Sequence, residues 1–193
     1  MENYRTLPLL WPVPRTGLMG LEREPMTTNQ ESPRAPERSV PIRVAHLADT
    51  ASLVGLINRA FCVELPFIEG QRVDPEKIRG YMEKGKFLLA EDAIALVGCV
   101  YVELRGDRGY LGLLSVDPPR QGTGLSRLLM DAAETYFRKA GCSAVDLRVI
   151  SPRTPLPAYY KHLGYQETGT MPYAPDVPGK VPGHYILMSK SLL

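Results

Sequence analysis

The sequence predicts an α/β (α+β) domain around a mixed, mostly antiparallel central sheet, and two observations carry this prediction. Apolar runs at residues 87–90, 94–104 and 110–116 follow one another with only short turns between them, which is the pattern of consecutive antiparallel strands. A helical pattern at residues 125–140 then separates the third run from an apolar run at residues 144–150. Because a strand–helix–strand connection is right-handed and joins parallel neighbours, the sheet is expected to be mixed.

Two helices are predicted ahead of the first long strands. Residues 42–45 form a short first strand, and Asp49 or Thr50 is expected to cap a helix that runs to about residue 61. Asp74 is the predicted N-cap of a second helix, with Pro75 at its first position. The first of these helices carries apolar residues at helical spacing, namely Leu53, Val54, Ile57 and Phe61.

The pattern at residues 125–140 predicts a long amphipathic helix that ends at Gly141. Glu134 and Arg138 lie four residues apart and are expected to pair on its solvent face. The chain then predicts a helix at residues 154–163 and two last strands, at 165–170 and 184–189. The expected apolar face of the long helix consists of Leu125, Leu128, Leu129, Ala132 and Tyr136.

Residues 1–39 differ in composition from the rest of the chain. Their prolines interrupt any helix or strand, and such a segment buries too little apolar surface to offset its ordering entropy. We therefore expect a disordered, proline-rich N-terminal extension followed by one domain at residues 40–193. The extension contains Pro8, Pro12, Pro14, Pro25, Pro33 and Pro36.

The composition argues against several kinds of partner and ligand. A net charge of +2 does not favour a nucleic-acid partner, and the longest apolar run, residues 93–102, is too short to span a membrane. The histidines have no metal-site spacing, so no metal is expected. Three cysteines without a close pair indicate reduced thiols, so we expect a cytoplasmic protein. We expect it to be a monomer or a homodimer.

The most informative segment connects the run at residues 110–116 to the long helix. The first N–H groups of a helix have no internal partner, the helix dipole favours negative charge there, and glycines allow close approach. The segment therefore predicts a cradle for a phosphate or pyrophosphate. It lacks the Gly-Lys-Ser/Thr of a P-loop and the third glycine of a dinucleotide site. It reads Val116-Asp117-Pro118-Pro119-Arg120-Gln121-Gly122-Thr123-Gly124-Leu125-Ser126.

This segment resembles the central motif of the GNAT acetyltransferase superfamily, Gln/Arg-x-x-Gly-x-Gly/Ala after a strand that ends in Val-x-Pro. Residues 121–126 match except at Ser126, where the family has Gly or Ala. Residues 160–165, Tyr-Lys-His-Leu-Gly-Tyr, resemble its second motif, an aromatic-rich helix that ends in Leu-Gly-Phe/Tyr. The resemblance covers about residues 41–193 and implies a GNAT fold, with helices on both faces of the sheet, and acetyl-CoA as cosubstrate.

The resemblance also implies how coenzyme A is held. The strand before the cradle is expected to splay from its neighbour, so that Leu114 and Val116 offer backbone groups to the pantetheine arm. Gly112 in that strand is compatible with a bulge. The pyrophosphate is expected on backbone N–H groups of Gln121, Gly122, Thr123, Gly124, Leu125 and Ser126.

The position of Tyr160 matches that of the family's usual general acid, which protonates the leaving thiolate. Many family members also place a basic carboxylate on the central strands, but residues 110–116 contain no acid. Glu103, at the end of the preceding strand, is one candidate for the general base. Glu64 is another, because it lies in the loop between the first two helices, which in the family usually lines the acceptor pocket. Arg72 and Tyr173 are further candidates for contact with the acceptor.

The leading hypothesis is an acyl-CoA-dependent N-acyltransferase that acetylates a primary amine of a small molecule or peptide by direct attack. The acceptor remains open, because a fold does not specify a substrate. A non-catalytic acyl-CoA binding or sensing module is the alternative, since it needs no base. A nucleotide-phosphate binder is a third reading, and the absence of a Walker lysine argues against it.

Overall fold

The computed structural model describes residues 40–153, 155–173 and 179–193, so the predicted extension at residues 1–39 lies outside the described residues. Seven strands form one sheet in the order β1-β2-β3-β4-β5-β7-β6. The strands are β1 (Ile42–Val44), β2 (Lys86–Glu91), β3 (Leu96–Arg105), β4 (Arg108–Val116), β5 (Ala144–Ile150), β6 (Gln166–Pro172) and β7 (His184–Ser191). The helices are α1 (Thr50–Ala60), α2 (Pro75–Lys84), α3 (Leu125–Lys139) and α4 (Pro155–His162).

The sheet is mixed and mostly antiparallel, as predicted. Strands β2, β3 and β4 are consecutive antiparallel neighbours, and β4 and β5, on either side of α3, are parallel. Helices α3 and α4 pack on one face, in a core that includes Leu129, Phe137 and Tyr160. Helix α1, through Leu53 and Leu56, packs on the opposite face together with α2. The prediction of helices on both faces is therefore confirmed.

The start of α2 is as predicted, whereas that of α1 differs. The Asp74 carboxylate accepts a hydrogen bond of 2.8 Å from the Lys77 N–H, which is the expected capping contact. Asp49 instead accepts from the N–H of His46 at 2.7 Å and binds the Arg43 guanidinium. The side chain of Asp49 thus holds β1 against the turn before α1, and it does not cap the helix.

The buried face of α3 is rotated from the predicted one. Leu125 and Leu129 are buried as expected, but Leu128 is 37% exposed. Because α3 carries two adjacent apolar stripes, its sequence alone does not determine which stripe meets the sheet. The buried residues are Leu125, Leu129, Met130, Ala133, Glu134 and Phe137.

Glu134 is buried, contrary to the prediction of a solvent-facing ion pair. Its pairing with Arg138 is present at 3.2 Å, but the Glu134 side chain is only 6% exposed. Lys190 on β7 donates to both carboxylate oxygens at 2.8 Å, and the Tyr165 hydroxyl donates at 3.3 Å. This network fastens α3 to the strands beneath it, because a buried carboxylate needs such partners.

The three cysteines form no disulfide, as the sequence analysis expected. Cys99 and Cys142 are buried and Cys62 is exposed, and all three are free. Among the helices of the described ranges, none has the length and apolarity needed to cross a bilayer.

We predict that Glu134→Ala lowers the free energy of unfolding by about 3 kcal/mol, because it leaves the Lys190 ammonium without its buried partner. Asp131→Ala is the matched control, since Asp131 forms an exposed pair with Arg127 on the same helix. It should change stability by no more than about 0.5 kcal/mol. Urea unfolding measures both variants, and equal losses would contradict this role of Glu134.

Candidate active site

The centre of the sheet contains a cleft where β4 and β5 separate. These strands pair only between Arg108–Tyr110 and Ala144–Asp146. On its other side β4 stays paired with β3 as far as Val116. The edge of β4 that faces β5 is therefore unpaired beyond Tyr110, and an extended ligand with amide groups can add to such an edge. This is the splay that the sequence resemblance implied.

A bulge in β4 lies beside this cleft, next to Gly112 as expected. Tyr101 of β3 opposes Gly112 and Cys99 opposes Ser115, so β4 has one extra residue. The left-handed backbone is at Leu113, with φ of +48°, and not at the glycine. A leucine rarely adopts this conformation, and such strain is concentrated at functional sites.

The bulge reverses which β4 side chains face each core. Leu111 packs in the core of α3, whereas Leu113 packs in the core of α1 and α2. Alternation would place Leu111 and Leu113 on the same face, so the break lies between them, and Leu114 then packs against the α3 core as alternation from Leu113 requires. The last residue of β4, Val116, therefore also packs in the core of α3, at the point where the cradle segment begins.

The segment after β4 has the backbone geometry expected of an anion cradle. Gly122 and Gly124 have φ of +78° and +86°, a left-handed conformation that favours glycine, and both are exposed. The first N–H that bonds back into α3 is that of Leu128, to the Gly124 carbonyl at 3.0 Å. Within the described ranges, the N–H groups of residues 122–127 donate to no protein acceptor. They form an open row at the positive end of the helix dipole. The prediction for Gln121 is wrong, because its N–H donates to the Pro118 carbonyl at 3.3 Å.

Side chains of the cradle stabilise its shape. The Thr123 hydroxyl donates to the Arg120 carbonyl at 2.6 Å, and the Gln121 amide donates to the Val116 carbonyl at 3.4 Å. Ser126, which departs from the family pattern, accepts a 3.0 Å hydrogen bond from the Tyr159 hydroxyl. The serine thus joins the first turn of α3 to α4 and leaves the backbone N–H groups open.

Tyr160 is buried beside the cleft, 7% exposed, between the rings of Tyr159 and Tyr165. Burial raises its pKa above the ordinary tyrosine value, so the hydroxyl keeps its proton at neutral pH. The charge of Glu64 and the phenol of Tyr110 both act on this hydroxyl. Glu64, one of the two candidate bases, therefore lies within electrostatic range of Tyr160.

Glu64 lies at the end of a short 3-10 turn, Phe61–Glu64, after α1 and is buried. Its Oε1 is 3.4 Å from a terminal guanidinium nitrogen of Arg153, and its Oε2 is buried without a hydrogen-bond partner. Burial raises the pKa of this carboxyl, although Arg72 and Arg153 oppose the shift. A carboxylate with a raised pKa and an open oxygen is suited to accept a proton.

Glu103 lies at the other end of the strands. It is opposite Tyr110 in the β3–β4 register, next to the hairpin turn. Arg105 donates two hydrogen bonds to its carboxylate, at 2.8 and 2.9 Å, and the Tyr101 hydroxyl donates a third at 3.0 Å. Arg105 thereby lowers the pKa of Glu103. These bonds make Glu103 a weaker base than Glu64.

The sequence reasoning missed two arginines that border this site. Arg148 on β5 lies over the rings of Tyr185 and Tyr110, at 4.6 and 6.0 Å from their centroids. Arg153 follows β5 and reaches Glu64. The alternation of β5 placed Arg148 away from the α3 core, but only the fold shows that this face borders the cleft.

Comparison with known proteins agrees with this geometry. A family model described as "Acetyltransferase (GNAT) domain" matches residues 66–175. The chain belongs to the GNAT acetyltransferase family. A mycothiol acetyltransferase of Thermobispora bispora is 30% identical over 158 residues, which are 74% of this chain and 52% of that protein. The chain thus spans about half the length of this curated relative, and 34% of a second one from Propionibacterium freudenreichii.

Solved GNAT structures share the fold. The ribosomal-protein-S18-alanine N-acetyltransferase of Escherichia coli has a TM-score of 0.65 at 17% identity and covers 79% of this chain and 93% of its own. The PaiA N-acetyltransferase of Thermoplasma acidophilum, solved in complex with coenzyme A, has a TM-score of 0.65 at 17% identity, covering 79% and 99%. At these identities the likeness shows the fold alone.

We predict that Gly124→Trp abolishes binding of coenzyme A, measured by calorimetric titration. No protein atom lies within 4 Å of a Cβ built at Gly124, so the indole would occupy the space before the helix N-terminus. Gly141→Trp, at the other end of α3, is the matched control, because Gly141 has a similar φ of +81° and equally open surroundings. Binding by both variants would contradict the position of the cradle.

We also predict a pH-dependent gain in stability for Glu64→Gln. Because burial raises the pKa of Glu64, the folded protein holds this proton more tightly than the unfolded chain does. Stability from this group is present below its unfolded pKa of about 4.3 and is lost as pH rises through the raised folded pKa. The Tm of the variant should therefore exceed that of wild type by more at pH 8 than at pH 4. A Tm difference between variant and wild type that does not change with pH would contradict the raised pKa of Glu64.

Proposed function

We propose that this chain is an acyl-CoA-dependent N-acyltransferase that transfers acetyl from acetyl-CoA to a primary amine of a small molecule or peptide by direct attack. One observation carries the proposal: the unpaired edge of β4 leads directly into the open row of N–H groups at residues 122–127. A ligand with an amide chain that ends in a pyrophosphate fits this arrangement, in which the amide chain lies along the strand edge and the pyrophosphate lies on the N–H groups. Family membership supports the same cosubstrate.

The β4 edge and the cradle would position the donor. Leu114 and Val116 would offer backbone groups at the bulge and at the strand end, and residues 122–126 would provide N–H groups for the pyrophosphate. Acetyl-CoA supplies an acetyl group activated as a thioester. Since binding energy at the remote pyrophosphate orients the reacting end, the cradle contributes to rate as well as to affinity.

Tyr160 would act as general acid toward the thiolate that leaves. A tyrosine at neutral pH is protonated, and burial raises the pKa of Tyr160 further. Glu64 would act as general base toward the attacking amine, because its pKa is raised and its Oε2 is unpartnered. Glu103 is the less suitable base because Arg105 and Tyr101 occupy its carboxylate.

A non-catalytic acyl-CoA binding module is the second candidate, and one feature favours it: β4 carries no carboxylate. Such a module needs the cradle but neither Tyr160 nor Glu64. We place either activity in the cytoplasm, which the free thiols of all three cysteines support.

We predict that Tyr160→Phe lowers turnover about 100-fold while acetyl-CoA affinity changes little, because a general acid typically contributes 10²–10⁴-fold. A free-thiol assay measures turnover and calorimetry measures affinity. Tyr136→Phe on α3, where the ring contacts Lys86 outside the cleft, is the control and should retain full activity. Full turnover by Tyr160→Phe would remove the tyrosine from the mechanism, and wild-type protein that binds acetyl-CoA without turning over any amine would favour the binding module.

A further inference from the structure

The residues that face the candidate base select the chemistry of the acceptor. We propose that the acceptor is an amine that also carries a carboxylate, as an amino acid does, and that Glu64 receives the amine while Arg72, Arg148 and Arg153 receive the carboxylate. We call these three arginines the arginine cluster. This inference rests on the proposed N-acyltransferase activity and adds the substrate class.

Arg72 is the central member of the cluster. Its guanidinium lies over the Phe61 ring, 5.0 Å from the centroid, and its Nε is buried without a hydrogen-bond partner. Its positive charge acts on both the Glu64 carboxyl and the Tyr110 phenol. A buried guanidinium nitrogen without a partner indicates a missing acceptor, since buried polar groups are nearly always hydrogen-bonded.

Arg148 and Arg153 complete the cluster from the β5 side. Arg148 makes ring contacts with Tyr185 and Tyr110, and it forms no ion pair with any described residue. The nearby acid on β5, Asp146, is already bound by Arg108 at 2.6 Å and is therefore not its partner. Arg153 reaches Glu64 only at 3.4 Å. The positive charges of Arg72 and Arg153 thus act on the Glu64 carboxyl, and those of Arg148 and Arg72 act on the neighbouring Tyr110 phenol.

This excess of positive charge is particular to the site. Away from the cleft, most arginines of the described residues are paired with acids; these are Arg43, Arg59, Arg105, Arg108, Arg120, Arg127 and Arg138. The exception is Arg79, which is exposed on α2. Arg72 and Arg148, which form no ion pair with any described residue, therefore favour an anionic group on the ligand, because a planar guanidinium binds a carboxylate in bidentate fashion.

The buried atoms without partners match both ends of such a ligand. Glu64 Oε2 accepts and suits an ammonium, whereas Arg72 Nε donates and suits a carboxylate. The Tyr173 hydroxyl, also buried without a hydrogen-bond partner, is a further donor.

In the reaction, the amine transfers a proton to Glu64, its nitrogen bonds to the acyl carbon, and the carbon–sulfur bond breaks. The sulfur takes the Tyr160 proton, and the second nitrogen proton restores the phenol.

The experiment compares acceptors that differ only in charge. Free amino acids, their α-amides and the corresponding decarboxylated amines are tested with acetyl-CoA in the free-thiol assay, and O-phosphoethanolamine tests a phosphate in place of the carboxylate. We expect free amino acids to have kcat/KM at least about 100-fold above their amides, as for a buried charge-assisted pair. Calorimetry with the best amino acid and desulfo-coenzyme A measures acceptor binding without turnover.

Variants test the cluster itself. Arg72→Gln should remove most of the preference for the free acid over its amide and weaken calorimetric binding of the acid. Arg79→Gln, on the exposed face of α2, should retain both. Tm measurements at neutral pH show whether Arg72→Gln is folded. Arg148→Gln, at an exposed position of β5, is a second variant and should also reduce the preference for the free acid.

Each outcome decides a different claim. Equal kcat/KM for free acids and amides, in protein that binds acetyl-CoA and turns over amines, overturns the acceptor class and leaves the proposed function standing. A preference for O-phosphoethanolamine would show that the arginine cluster binds a phosphate, and it overturns the proposal that the acceptor carries a carboxylate. Absence of acetyl-CoA binding overturns the proposed function itself.

Discussion

Strands β4 and β5 share hydrogen bonds over only three residues, Arg108–Tyr110 with Ala144–Asp146, and then diverge. The bulge at Leu113 accompanies this separation, and β4 keeps its pairing with β3 throughout. Two consequences follow from the divergence. An edge of β4 is freed within the sheet, and β4 is directed toward the N-terminus of α3. A fully paired β4 would leave neither a position for an extended amide chain nor a cleft for an acceptor.

Packing on both faces holds this opening in place. Gly109 allows Phe137 to lie directly on the paired end of the strands, since a Cβ there would be 2.4 Å from the ring. At the open end, the hydrogen bond from Tyr159 to Ser126 fixes α4 against the cradle. The loop that follows Glu64 is held by Lys180, whose backbone N–H donates to the Phe67 carbonyl at 2.8 Å. The candidate acid, base and cradle are therefore each supported by a separate contact.

Local chemistry determined which features the sequence could predict. The glycines of the cradle, the Asp74 cap and the strand–helix–strand crossover each depend on neighbouring residues, and all three are present. Leu113 carries no signal of a left-handed backbone, because the strain is imposed by the sheet around it. Burial of Glu134 depends on Lys190, 56 residues later, and so it could not be read from the helix.

The same distinction separates the two candidate bases. From the sequence, Glu103 and Glu64 were equivalent carboxylates near the expected site. Their environments differ in the fold, since Arg105 binds Glu103 from two residues away, whereas Glu64 faces arginines from distant segments. The arginine cluster likewise exists only after folding, because Arg72 follows α1 and its other members border β5.

Calorimetric titration of the full chain with acetyl-CoA, with ATP and NAD as controls, tests the central claim most directly. If the β4 edge and the cradle together form a coenzyme A site, acetyl-CoA binds with one site per chain while ATP and NAD bind far more weakly, because they match the cradle but not the edge. If acetyl-CoA does not bind, or binds no better than ATP, the β4 edge and the glycine-containing turn do not form a coenzyme A site, and the conclusion is limited to the fold.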